Sequence, residues 1–553
     1  MERWPPAVEA SGDHYCRVVC GDRIDAATHE RVQRAVAALQ AADLEAVDNL
    51  HPAYATVGVS FDPRRVTAEA MRVAIAAAAR EAAAFELPPA RRIEVPVAYG
   101  AEWGPDLDAV ARHVGITPEE VVARHARAGY IVHFLGFSPG FPYLGGLPPE
   151  LATPRLPTPR PRVPAGSVAI GGAQTGVYPQ ATPGGWRIIG RTPLPLFDPH
   201  RPEPALLAFG DHVAFRPLPP GTWVEIEPRQ PAASTRDAVP AAEVVRPGLL
   251  TTVQDLGRPG LAHLGVARGG AADPLSLRIA NLLVGNPEGA AALEITLSAC
   301  ALRLLRDAVL ATAGAEMAVR VDSRAVPAWQ PVLARAGQVL ELGPADEGAR
   351  AYLAVRGGLA VPVALGSAST HLAAGFGGVE GRSLCAGDIL RVWPVTAPSS
   401  RRYGVVEPAL RAFLTRADTL RVLPGPHARA LGTQALAALS GGTFIVSARS
   451  DRTGVRLSGE PVCAGTGTLL TEGVPTGAVQ VPPDGQPIVM LADHPATGGY
   501  PQLASVIAAD LHRLGQLRPG RAVRFDIVDE ATAAAALAEL ERVVAGLSKG
   551  GWA

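Results

Sequence analysis

Lysine is almost missing from this chain: of 51 basic side chains only Lys549, close to the C-terminus, is lysine. The body of the protein therefore has no lysine for a nucleotide phosphate loop, a Schiff base or a biotin attachment. Arginine must fill any anion-binding role. Cysteine is scarce too, at 16, 20, 300, 385 and 463. The number is odd and no pair has CxxC spacing, which argues against a disulfide framework or zinc ribbon. Cys16 and Cys20 alternate with Val18 and read as small core residues. Neither charge sign is in excess, with 51 basic against 52 acidic side chains. Without a basic stripe, nucleic acid and anionic membrane surfaces are not implied partners, and small molecules or proteins are. No hydrophobic run approaches the ~20 residues that span a bilayer, and MERWPPAVEASGDHY lacks a signal-peptide core, so the cytoplasm is the expected location. The thirteen histidines show neither HxxxH nor HExxH spacing, and no metal site is predicted. A GxSxG elbow and a GxxxxGK[ST] loop are also missing.

What is present reads as several domains, since 553 residues exceed one ordinary hydrophobic core. Residues 14–20 (HYCRVVC) alternate as a strand, 26–42 repeat at helical spacing, 55–61 form a strand and 68–84 a helix capped by Thr67. With a further strand at 91–99 the order suggests a small α+β unit. Helices follow at 106–113 and at 117–128, opened by Thr117-Pro118. From 131 to 215 short apolar runs alternate with Gly and Pro, the pattern of a barrel with elaborate loops. The stretch around RQPAASTRDAVPAAE is aperiodic and reads as a linker joining two proteins end to end. A second β-rich region carries a helix at 274–284, with Asp273 as cap and Gly285 as stop, a helix at 501–514 and a C-terminal helix at 529–546.

Two long stretches carry a family resemblance. HFLGFSPGFPYLGGLPPEL with TPRPRVPAGSVAIGGAQTGVYPQATPGGWRIIGRT resembles the allophanate hydrolase subunit 1 family, also described as the B subunit of 5-oxoprolinase or the Kip inhibitor. The run from GLLTTVQDLGRPG to ALEIT, with SDRTGVRLSG, VQVPPDGQPIV and DHPATGGYPQLASV, resembles the allophanate hydrolase subunit 2 family: the C subunit of 5-oxoprolinase, Kip antagonist or biotin-dependent carboxyltransferase. Departures are small: a cysteine pair in the first strand, and Ala272 where methionine is common. The resemblance implies an α+β, predominantly β protein: a ferredoxin-like domain at 12–92, cyclophilin-like barrels at 93–217, 243–415 and 416–530, a linker at 218–242 and a tail at 531–553.

Candidate site residues fall in these motifs. Gly136, Gly140, Gly145 and Gly146, with Pro139 and Pro142, shape a loop that either presents backbone N–H groups to a ligand or only fixes the fold. Phe141 and Tyr143 wall a pocket or pack a turn. Arg160 and Arg162 offer a fork for a carboxylate or phosphate, or a solvated pair, and Gln174, Thr175 and Tyr178 supply polar tips. His133 reads as a core imidazole. Gln254, Asp255, Arg258 and His263 gather base, cation and titratable ring in a Gly-rich loop, though a turn accounts for Asp255 equally well. Asp493 and His494, followed by Thr497, Gly498, Gly499 and Tyr500, form the densest polar cluster. Asp493, His494, Asp255 and His263 are the catalytic candidates, and Arg258, Thr497 and Tyr500 join the B-half polar residues as substrate ligands.

The resemblance implies the B–C component of an ATP-dependent 5-oxoprolinase, a hydrolase opening the lactam of 5-oxoproline to glutamate with a separate A subunit, ATP and Mg2+. Without a phosphate-loop lysine, the phosphates would rest on arginine, backbone amides and a carboxylate-bound cation. Two rivals stay open: biotin-dependent carboxyl transfer with a separate carrier, and regulation of a sensor histidine kinase. A pocket shared by the two halves is expected, and the number of copies in the assembly is open.

Overall fold

The alternation of Tyr15–Val19 sets which face of the first sheet meets the rest of the protein. In the computed structural model, which describes residues 6–219, 222–224, 235–395, 406–415, 418–462 and 469–548, four antiparallel strands lie in the spatial order Ala7–Ala10, Tyr15–Val19, Thr56–Phe61, Val47–Pro52. Cys16, Val18, Val57 and Val59 point toward the helices Ala26–Ala41 and Ala68–Arg80 and form their core. Each helix starts on a side-chain cap, Asp25 accepting from the Thr28 amide at 2.7 Å and Thr67 from Ala70 at 3.2 Å. The other face is polar, because side chains of a strand alternate. Tyr15, Ser60 and Asn49 stand in one row across it, and Arg17, Gly58 and His51 in the next. The edge strand Ala7–Ala10 precedes residue 12, where the unit was expected to begin, and the strand Val47–Pro52 was not anticipated.

The expected strand at 91–99 exists as Arg92–Tyr99 but joins the following body, a closed barrel of seven strands, pairing in parallel with His212–Pro217. Helices Leu107–Val114 and Pro118–Arg127 pack on it. A second closed seven-strand barrel runs from Thr419–Pro424 to Ala522–Ile527. Between them, where a third barrel was expected, lies an open nine-stranded sheet. Its two longest strands, Ala308–Val321 and Val339–Val355, pair antiparallel, and their apolar residues serve two cores, one against the helix Pro274–Val284. That helix has the bounds read from its cap and stop: Asp273 accepts from Ser276 N, and Gly285 takes the left-handed conformation at φ +79°.

The helix expected at 501–514 is instead the strand Gln502–Val506 and a 3₁₀ helix, Ala508–Gln516. Gln502 to Val506 are all buried, and their backbone pairs with strands on both sides, so barrel closure overrides the local helical pattern. The proposed linker is shorter than drawn. Val239–Arg246 is a strand of the open sheet, and Trp223 stacks on Trp103 at 4.1 Å with the Arg191 guanidinium over both rings. Residues 220–221 and 225–234, with Cys463 and Lys549, lie outside the described residues. Cys16 and Cys20 are buried, as their alternation implied.

Candidate functional site

The polar face of the first sheet is largely covered. It closes against the C-terminal half, and the two enclose a cavity of about 330 Å3 lined by His14, Tyr15, Asn49 and His51 on one side and Arg268, Thr476 and His494 on the other. This volume lies at the lower end of the range for small-molecule sites.

Hydrogen bonds fix the protonation of its imidazoles. His14 has the Asp13 carboxylate 2.9 Å from Nδ1 and the Thr476 carbonyl 3.0 Å from Nε2. Both partners only accept, so both ring nitrogens carry protons. Burial opposes that charge, but Asp13 and the Thr476 carbonyl outweigh it and raise the pKa above its ordinary value. His494 is the opposite case. Its Nδ1–H donates to the Pro495 carbonyl (2.8 Å), Nε2 accepts from Thr476 Oγ1 (3.1 Å), and burial holds the ring neutral. His51 is 2% exposed, bonded to the Leu135 backbone, and leaves Nε2 without a partner among the described residues. Burial, with His263 and His494 nearby, pushes its pKa down to about 3. His263 reaches across the halves, its Nδ1 3.3 Å from Asn49 Oδ1.

The carboxylates singled out in the sequence hold the frame of the site. Asp255 accepts from the hydroxyls of Ser367 (2.6 Å) and Ser369 (2.5 Å) and from the amides of Gly257 and Ala368, both 2.7 Å. Asp493 is gripped by Arg452, which also binds Glu294 at 2.5 Å and the Gly270 carbonyl at 2.6 Å. Glu294 in turn accepts from Tyr352 and from the Ala272 amide. This buried network ties the open sheet to the second barrel. Burial alone would raise the pKa of Asp493 and Glu294, but Arg452 lowers both. Arg258 is buried, donates to the Ser369 carbonyl at 2.5 Å, and lies 5.0 Å over the Phe376 ring, with Nε and Nη1 unpartnered among the described residues.

The B-half motif forms a separate aromatic wall. Phe141, Tyr178 and Trp186 pack edge to face with Tyr143 beside them, and Tyr143 stacks on Phe134 at 4.4 Å. Gln174 donates to the Tyr54 hydroxyl. Thr175 is buried between His125 (3.1 Å) and the Ala169 carbonyl (3.0 Å). Arg160 pairs with Asp106 at 2.8 Å, whereas Arg162 and Tyr500 are exposed. His133 is buried 4.6 Å from the His29 ring, and its ring fills the space where a side chain at Gly145 would stand.

Thr497 joins the two sets. Its Oγ1 accepts from the Phe137 amide at 3.1 Å, while the Gly140 amide donates to the Leu264 carbonyl at 2.8 Å. Gly136 packs so closely on Thr497 that a Cβ there would lie 2.9 Å from its Cγ2. The GFSPGF loop of one half and the PATGGY loop of the other are therefore one joint. Sequence reasoning singled out His494, His263 and Thr497 but missed His14, Asn49, His51, Arg268 and Thr476. The polar-apolar-polar order of Asn49-Leu50-His51 is the signal that could have found two of them. A larger cavity of about 860 Å3 lies between Phe197, Asp198 and Arg201 of the first half and the glycine-rich run 375–381 of the second, and none of the candidate side chains lines it.

Comparison with known proteins follows the same division. Residues 6–207 match the model described as carboxyltransferase domain, subdomain C and D, and residues 264–527 that of subdomain A and B. The chain is 40% identical over 284 residues to the C subunit of 5-oxoprolinase from Escherichia coli K12, covering 51% of this chain and 90% of that protein. It is 59% identical over 134 residues to the B subunit of 5-oxoprolinase from Escherichia coli O157:H7, covering 24% of this chain and 62% of that one. The solved structure of TTHA0988 superposes with a TM-score of 0.81 at 38% identity, over 93% of this chain and 100% of that chain. The chain belongs to the families of the B and C subunits of 5-oxoprolinase, joined here in one polypeptide.

Proposed function

We propose that this chain is the B–C component of an ATP-dependent 5-oxoprolinase, working in the cytoplasm with a separate A subunit to hydrolyse 5-oxoproline to glutamate. The observation that carries the reading is the cavity itself: its walls come from both halves, and it lies beside the joint where the two family motifs meet. A site divided in this way explains why two subunits would be kept together at a ratio of one to one. The ferredoxin-like and cyclophilin-like assignments of the individual domains belong to the same proposal.

An amide is resonance-stabilised, and phosphorylation of its oxygen by ATP would make the ring carbon electrophilic. Among the described residues no group of three His, Cys, Asp or Glu side chains could hold a cation, and no phosphate-loop lysine exists. In this reading ATP and Mg2+ belong to the complex as co-substrate. The contribution of this chain is to bind the small molecule, keep it from bulk water and position it against neutral imidazoles. In this reading Asp255 and Asp493 hold loops in place rather than move protons.

The test is direct: the purified chain, its A partner, ATP and 5-oxoproline are mixed, and ADP and glutamate are measured. Absence of both in a folded preparation sinks the proposal. The description of both matching models as carboxyltransferase domains favours a second reading, carboxyl transfer from a separate biotin carrier. Transfer from free carboxybiotin, without turnover of 5-oxoproline, would establish that reading instead.

A further inference from the structure

Asn49 and His51 are two residues apart on one strand, so their side chains leave the same face of the sheet, and both line the cavity. Their free hydrogen-bonding atoms are complementary. His263 Nδ1 meets Asn49 Oδ1, which orients the Asn49 amide and leaves its Nδ2–H groups as donors. The His51 ring is bonded to the Leu135 backbone and is neutral, so Nε2, which has no partner among the described residues, is an acceptor. A buried acceptor with no partner is costly, and where it belongs to a residue lining a cavity it marks a place where something else binds.

Two of the neighbouring imidazoles have no such capacity. His14 has both nitrogens committed to Asp13 and Thr476, and His494 has both committed to Pro495 and Thr476. His512 also lines the cavity and leaves Nδ1 unpartnered while Nε2 donates to the Leu414 carbonyl, but it faces Asp273 and Asp510 on the opposite half. His51 instead touches three segments at the joint. Its ring is bonded at Leu135, it lies across the sheet from Gly58, and a Cβ at Gly473 would be 3.3 Å from its Nδ1.

A donor and an acceptor side by side match one chemical pattern, an N–H next to a C=O on the same edge. Open-chain peptides are trans and hold these groups on opposite sides, whereas a small lactam is locked cis and shows them together. We propose that Asn49 and His51 form the edge that reads the cis-amide of a lactam, Asn49 Nδ2–H donating to its carbonyl and His51 Nε2 accepting its N–H. This rests on the 5-oxoprolinase reading and assigns its substrate contacts to the B half.

The experiment is equilibrium binding to the full chain, with and without the A partner, of 5-oxoproline and of its lactone analogue, 5-oxotetrahydrofuran-2-carboxylate, which lacks the N–H. The unaltered chain is expected to prefer lactam over lactone by at least about tenfold, since a site built to accept an N–H rejects the analogue without it. His51→Ala is expected to abolish the preference, and His51→Gln, which keeps an acceptor, to retain part of it. Asn49→Asp is expected to weaken both ligands, and thermal unfolding shows that each variant is folded. A preference that survives in His51→Ala, or that His512→Ala removes instead, overturns the assignment. No binding of 5-oxoproline by the unaltered chain in either setting overturns the functional reading, and the assignment with it.

Discussion

Arg452 holds Asp493 with two nitrogens, Nε to Oδ2 at 2.7 Å and Nη2 to Oδ1 at 3.0 Å, and turns Nη1 to Glu294. One guanidinium thus bridges two buried carboxylates, one on the open sheet and one in the second barrel, and Arg350 adds a second cation 3.5 Å from Glu294. Removing one partner of such a network strands the others in a low dielectric. Arg452→Met is expected to cost roughly 3–5 kcal/mol of unfolding free energy. Arg452→Lys should recover only part of it, because an ammonium cannot fork. Denaturant midpoints at constant slope measure both, and a loss below about 1 kcal/mol would show that the network does not hold the domains together. Asp493, with its pKa lowered by Arg452 against the effect of burial, contributes stability that is present above its unfolded value and lost as pH falls through the folded one.

The His14 imidazolium gives a different pH signature. Its pKa is raised in the folded state, because Asp13 and the Thr476 carbonyl outweigh burial. The stabilisation is therefore full below the unfolded value near 6.5 and fades as pH rises through the folded value. The stability difference between the unaltered chain and His14→Gln should be largest at about pH 6 and shrink towards alkaline pH. A difference that is constant or grows with pH would mean that the ring is neutral.

The joint at Thr497 should control assembly of the halves. Gly136→Val would drive a branched side chain into Thr497, whereas Thr497→Val removes only the hydrogen bond to the Phe137 amide, worth about 1 kcal/mol. With a protease site placed within residues 225–234 and cut, the unaltered halves should co-elute on gel filtration. The Gly136→Val halves should separate, and those of Thr497→Val should remain associated but weaken.

The same cut chain tests whether the site is shared. Nicked but associated halves should keep the activity of the intact chain with its A partner. Separated halves should lose it, and full activity in either half alone would refute a cavity built from both.

Asp255 accepts four hydrogen bonds from residues 257, 367, 368 and 369. Asp255→Ala should therefore act through stability, by roughly 1–3 kcal/mol, with activity returning at low temperature where the fold is intact. An inactive Asp255→Ala chain of unchanged stability would restore this residue to the chemistry.

Several elements were legible because their signals are local. Asp273, Pro274 and Gly285 bound the helix Pro274–Val284 as read, since a cap, a fixed φ and a left-handed stop act within a few residues. The alternation of Tyr15–Val19 likewise marked a strand. The segment 502–506 was misread because its pairing lies far away in sequence, with 422–424 and 478–480. Periodicity in a short buried run does not separate helix from strand.

The candidate site divides along the same line. The sequence by itself determined that two families are joined, that lysine chemistry is excluded, and that the loops at 136–140, 255–263 and 493–500 are unusual, because residue identity and spacing are enough for these. Only the tertiary structure decided which of their side chains are free. Asp255 and Asp493 look reactive in the sequence and are saturated by partners more than 40 residues away. His51 looks ordinary in the sequence, lines a cavity between the halves and keeps an acceptor that has no partner among the described residues. Hydrogen bonding and burial depend on what the whole chain brings to one place, and that is set by packing across both halves.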